Sequence, residues 1–114
     1  MSIASKLQLK DGDTVRLVNA PEGLDLGLST ASDEADAVLV FVQNKAELEQ
    51  HEQAALDHAA DDRLTWIAYP KAGQLKTDLN RDILWELLDG KGVRPVRQVA
   101  LDDTWSALRF RPAP

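Results

Sequence analysis

The segment Tyr69 to Asp82, YPKAGQLKTDLNRD, gathers Lys71, Lys76 and Arg81 with Asp78, Asn80 and Asp82 between an apolar run and an amphipathic one. Three cations in so short a stretch can hold a carboxylate or a phosphate, above all when a helix starts beside them and adds its unpaired N–H groups. The alternative is mutual neutralisation, because Asp78, Asp82, Asp102 and Asp103 can pair with the same cations in a structural network. Asp78, Asp102 and Asp103 are also of the type that acts as a general base or binds a hard cation such as Mg²⁺. Local chemistry favours structural uses for them: Asp78 suits a helix N-cap, and Asp102 with Asp103 suits a turn.

Other chemistries have little to stand on. The chain has no cysteine, which excludes a disulfide framework, a thiolate metal site and a cysteine nucleophile together. His51 and His58 lie seven residues apart in HEQAALDH, about 10 Å along a helix axis, too far to share one ion. They read as solvated helix residues, and no metal site is expected. No serine stands in a strand-to-helix elbow of the G-x-S-x-G kind, so a hydrolase triad has no anchor.

The 114 residues are 44% apolar and 28% charged, the composition of a single globular domain spanning the chain. A net charge of −6 argues against nucleic acid or an anionic membrane as partner, since counterion release needs many cations on one surface. The charge is uneven: residues 1–68 carry five basic and thirteen acidic groups, and residues 69–114 eight and six. Selective anion binding therefore belongs to the second half. No apolar run approaches the roughly 20 residues of a membrane span, and MSIASKLQLKDGD lacks the basic-then-apolar order of a signal peptide, so a cytoplasmic location is expected.

These residues must be positioned by regular elements. After the turn signal Asp11-Gly12-Asp13, TVRLVNAP reads as a strand, and ADAVLVFV, Ala35 to Val42, as a strand buried on both faces. Asn44, with Glu47 three residues on, can cap a helix carrying Leu48, Ala55, Leu56 and Ala59. RLTWIAYP is a further strand. A second helix is expected from Asp78 to Gly90, with Leu79, Ile83, Leu84, Leu87 and Leu88 on one side. VRPVRQVAL and TWSALRFR, separated by Asp102-Asp103, read as an antiparallel hairpin. The alternation predicts an α/β fold: a mainly parallel sheet of about five strands, covered on both faces and closed by that hairpin. In such sheets ligands bind at the carboxyl ends of the strands. That rule collects Asn19, Asn44, Lys71 and Asp103 on one rim, with Lys76, Asp78, Asn80 and Arg81 arching over it.

The tryptophans divide. Trp66 reads as core. Trp85 falls opposite the apolar stripe with Arg81, Asp82 and Asp89, four residues after Arg81 in a spacing suited to a cation–π contact. It anchors a ligand, a protein partner or a second copy of the chain, or else lies under the amino-terminal lead or a loop. Trp105 shares its parity with Ala107, Arg109 and Arg111 and either stacks on a planar ligand or packs against a helix.

The order DAVLVFV, helix, RLTWIAYPK, helix, hairpin resembles the carboxy-terminal half of a Rossmann-like S-adenosylmethionine-dependent methyltransferase. WIAYPK, KTDLNRDILWELL, RPVRQV and DDTWSALRF resemble a family of short bacterial proteins known only as a domain of unknown function. The first resemblance implies a truncated Rossmann-like sheet. It also implies a glycine-rich cofactor turn after the first strand, where this chain has NAPEG with Gly23 alone, so no cofactor is expected. The expected function is a non-catalytic binding or interaction module. Its site would draw on Asn19, Asn44, Lys71, Lys76, Asp78, Asn80, Arg81, Asp103 and Trp105 and take a small anionic ligand or an acidic protein segment, with Arg81 and Trp85 as a candidate interface. The alternative is a small S-adenosylmethionine-type transferase, or another enzyme, that completes its site by forming a homodimer.

Overall fold

The computed structural model describes residues 3–24, 26–31, 35–71 and 77–113. Its sheet grows from two apolar runs. Strand β2, Ala37–Phe41, is buried at all five positions and β3, Leu64–Pro70, at six of seven, as expected where neither face of a strand meets water. Strand β1, Val15–Val18, pairs in parallel with β2, and β2 with β3. Strand β5, Trp105–Pro112, lies antiparallel to β3, and β4, Val93–Ala100, antiparallel to β5, giving the order β1-β2-β3-β5-β4. The expected mainly parallel sheet is therefore corrected to a mixed one. The last strand does not extend the edge; it inserts beside β3 and pushes β4 outward. Burial explains the choice, because β5 is largely buried whereas β4 is largely exposed and carries Pro95 at a register shift. Proline and arginine are suited to an edge that must not recruit further strands.

Because β5 is antiparallel to both neighbours, β1 to β4 all point one way. Their carboxyl ends form one rim, joined there by the amino end of β5.

The two sheet faces are covered differently. Val38, Val40, Ile67, Tyr69, Leu108 and Phe110 meet helix α2, Lys45–Ala60, and helix α3, Arg81–Leu88, through Leu48, Ala55, Ala59, Leu84 and Leu88. On the other face Leu39, Phe41, Trp66, Ala68, Trp105 and Ala107 are covered by irregular chain. Leu7, just after the short helix α1, Ile3–Lys6, is fully buried there, and Leu9, Leu24, Leu26 and Leu28 pack around it. The Trp66 Nε1–H donates to the Leu7 carbonyl at 3.1 Å. Ser29 to Ala31 then runs along the free edge of β1, where Val15 N–H donates to Ser29 and Ala31 N–H to Val15.

Helix starts follow side-chain chemistry, with one correction. Asn44 caps α2 as expected, accepting from Glu47 N–H at 2.9 Å. The cap of α3 is Asn80, which accepts from Ile83 N–H at 2.9 Å, and not Asp78. Asp78 reaches instead to the first turn of α2, accepting from Lys45 N–H at 2.9 Å, where a carboxylate also complements the helix dipole. Beyond α3, Gly90 and Gly92 have φ of 85° and 91°, the left-handed region in which glycine ends a helix without steric cost. Among the described residues no helix is long and apolar enough to cross a membrane.

Candidate functional site

Several residues expected on the rim are occupied in building it. Asn19, at φ 58°, donates to the Phe41 carbonyl and to Glu47 Oε1, both at 2.8 Å, so it ties the ends of β1 and β2 to the start of α2. Asn44 and Asp78 serve helix starts, as above. Asp102 accepts from the N–H groups of Thr104 and Trp105 at 2.8 and 2.7 Å and shapes the hairpin turn, on which Asp103 stands exposed. Trp105 is 7% exposed, on the face away from the helices, with its ring edge-on to Phe41 at 5.2 Å. That packing removes it as a stacking platform. Lys76 lies outside the described residues.

The remaining three converge. Lys71, Asn80 and Arg81 line an open recess of about 330 Å³ together with Tyr69, Asp82, Gln98 and Ser106. Lys71 enters from the end of β3, held by its own N–H donating to Thr104 at 2.7 Å. Asn80 commits its oxygen to the α3 cap, which leaves its amide N–H groups available. Arg81 contacts Asp82 at 3.3 Å in an exposed pair, an arrangement that holds little energy and leaves the guanidinium free to turn. Tyr69, Gln98 and Ser106 form the floor. Gln98 Nε2–H donates to the Tyr69 oxygen at 2.7 Å, and Ser106 is hydrogen-bonded to the same phenol. Burial raises the Tyr69 pKa above its ordinary 10.0, against the opposing pull of Arg81 and those hydrogen bonds. The phenol therefore stays protonated at neutral pH. Among the described residues the recess presents two cations, amide N–H groups and one carboxylate, a set suited to holding an anion.

Sequence reasoning missed the floor. Gln98 and Ser106 sit in runs whose partners are chosen by the non-local insertion of β5, which sets Ser106 opposite both Tyr69 and Ala100. The one local signal was polar residues interrupting an apolar alternation.

A second recess of about 290 Å³ adjoins the first through Arg81 and Gln98 and is lined also by Trp85, Pro95, Val96, Arg97 and Leu108. Trp85 and Val96 are 52% and 41% exposed, the large hydrophobics most open to solvent among the described residues. Among the described residues neither the amino-terminal lead nor a loop buries Trp85.

Among the described residues no group of three His, Asp or Glu side chains is placed to hold a metal ion. His58 differs from the expected solvated residue: it is half-buried, and its Nε2 is enclosed without a partner among the described residues. Burial and then the charge of Arg63 hold its pKa below 6.5. The unfolded chain thus binds this proton first as pH falls, so stability is complete above about pH 6.5 and declines below it, towards the folded-state value. The expected result is a melting temperature that falls between pH 7 and pH 5 more steeply for the native chain than for His58→Gln. Parallel profiles would show that His58 does not titrate in the folded state as this environment requires.

No family model matches the chain, and no curated protein matches it.

Proposed function

We propose that the protein is a non-catalytic binding module that holds a small carboxylate in the recess between α3 and the carboxy-terminal hairpin. The observation that carries this reading is that Lys71, Asn80 and Arg81, singled out by residue type, line one recess at the carboxyl rim of the sheet, where ligands of open α/β sheets bind. Asp82 in the same wall favours a singly charged group over a highly charged one. The strand order supports a finer reading of the fold as a truncated Rossmann-like sheet resembling the carboxy-terminal half of a methyltransferase: four strands run one way and the last inserts antiparallel between the third and fourth.

The test is an amide-resolved NMR titration with acetate, succinate, glutamate and S-adenosylmethionine. Saturable shifts with a carboxylate, centred on Tyr69, Lys71, Asn80, Arg81, Gln98 and Ser106, are the expected result. A flat response to every carboxylate would sink the reading.

A second reading, a transferase whose site is completed by a second copy of the chain, is favoured by one observation: the exposed Trp85 and Val96 share a recess directly beside the first. Apolar side chains so placed suit the centre of an interface. On this reading light scattering gives a dimer that Trp85→Ala converts to a monomer. A strict monomer at high concentration removes it.

A further inference from the structure

The hairpin sets four arginines against one another. Arg94 stands directly across from Arg111 and Arg97 across from Arg109, and cross-strand partners project from the same face with Cβ atoms about 5 Å apart. Arg109 and Arg111, two positions apart on β5, share that face, about 7 Å from each other along the strand. The block lies on the side of the sheet away from the helices, since Arg109 also faces Trp66 across β3. It is distinct from the rim recess, although Arg97 at the sheet edge borders the Trp85 recess as well.

Like charges placed directly opposite destabilise a sheet, and here two such pairs are adjacent. Among the described residues their neutralisation is incomplete. Arg111 makes a bidentate pair with Asp62 at 3.1 and 3.2 Å. Arg109 donates to a neutral partner, Gln8 Oε1, while its Nε is enclosed and without a partner among the described residues. Arg94 and Arg97 are exposed, and neither pairs with a carboxylate among the described residues. Among the described residues four guanidiniums thus face one carboxylate, in a chain whose net charge is −6. Burial, and then the nearby Arg111 and Arg97, lower the pKa of Arg109, with Asp62 opposing them.

We propose that this arginine block is a binding site for the phosphate group of a small molecule, with Arg97 and Arg109 as its principal forks and Arg111, fixed by Asp62, as its third side. A phosphate carries the two charges and the several acceptor oxygens that such a set of forked donors matches, whereas a lone carboxylate would offset one arginine and leave the repulsion between the others. The patch spans one or two phosphates. The acidic remainder of the surface disfavours an extended polyanion, so the ligand is a phosphomonoester or diphosphate rather than a nucleic acid.

The experiment is calorimetric titration of the full chain in phosphate-free buffer with inorganic phosphate, pyrophosphate, ADP and a single-stranded oligonucleotide. Pyrophosphate or ADP is expected to bind saturably, and comparing the two shows whether the phosphate is recognised alone or with an attached nucleoside. Arg97→Gln and Arg109→Lys should each weaken binding about tenfold, the second because a lysine keeps the charge and loses the fork. Lys71→Ala should bind pyrophosphate like the native chain, which separates this site from the rim. A stability readout accompanies each variant. Arg97→Gln should melt no lower than the native chain without phosphate, because it relieves a like-charge pair, and added pyrophosphate should raise the melting temperature of the native chain more than that of the variant. Absence of saturable binding by phosphate, pyrophosphate and ADP would overturn the proposal. So would binding indifferent to Arg97 and Arg109, or an oligonucleotide that outcompetes pyrophosphate.

Discussion

Replacing Lys71 and Arg81 together with alanine is expected to weaken carboxylate binding in the rim recess by about a hundredfold while the fold survives. Each cation supplies a charge-assisted contact whose full worth is about 1.5–3 kcal/mol; solvent access reduces this towards a tenfold effect per residue. Arg81 is 56% exposed, so the lower end applies. The structural cost is small for a separate reason. Arg81 pairs only with its exposed neighbour Asp82 among the described residues, and the Lys71 contact that joins β3 to the hairpin runs through its backbone N–H, which alanine retains. The melting temperature should therefore hold to within the small change typical of surface substitutions. Titration of the variant beside the native chain, each with a thermal melt, decides the matter. Loss of binding with an unchanged melt supports a ligand site. A large loss of stability would make the cations part of a structural network, and unchanged affinity would move the site elsewhere.

Trp66→Ala is expected to cost about 3–5 kcal/mol, the range for emptying a large aromatic site. Trp66 is fully buried in the face opposite α2 and α3, and its indole N–H holds the Leu7 carbonyl. The substitution removes the largest fully buried side chain of that layer and also detaches the lead that covers it. Against a total stability of about 5–15 kcal/mol, the variant would be near unfolding in mild denaturant. Trp66→Phe separates the two effects: it keeps most of the apolar volume, loses the hydrogen bond, and should cost about 1–3 kcal/mol. Urea midpoints for the three chains measure both terms. A Trp66→Ala loss below about 1 kcal/mol would mean that the irregular segments do not pack on the sheet as a second core layer.

Much of this fold is legible along the chain because it rests on local chemistry. The apolar runs around β2 and β3, the cap at Asn44, the stripe Leu79, Leu84 and Leu88, and the hairpin each follow from side-chain type and spacing within a few residues. Asp78 shows the limit of such reasoning. It is a good N-cap by type, yet Asn80 takes the role and Asp78 serves a different helix, since several short polar residues compete for one helix start and distant packing decides between them.

What tertiary structure alone decided was which surfaces meet. Alternation in β5 gives Trp105 and Arg109 the same parity, but only the chain folded over Phe41 and Leu7 makes one end of that face core and leaves the other polar. The recess floor of Tyr69, Gln98 and Ser106 and the opposed arginines of the hairpin both depend on β5 lying between β3 and β4. Sequence by itself determined the elements and the cations available to them, because helix, strand and cap preferences act over a few bonds. Sheet order and face pairing were settled by burying the most apolar strands at the centre, a comparison made across the whole chain at once.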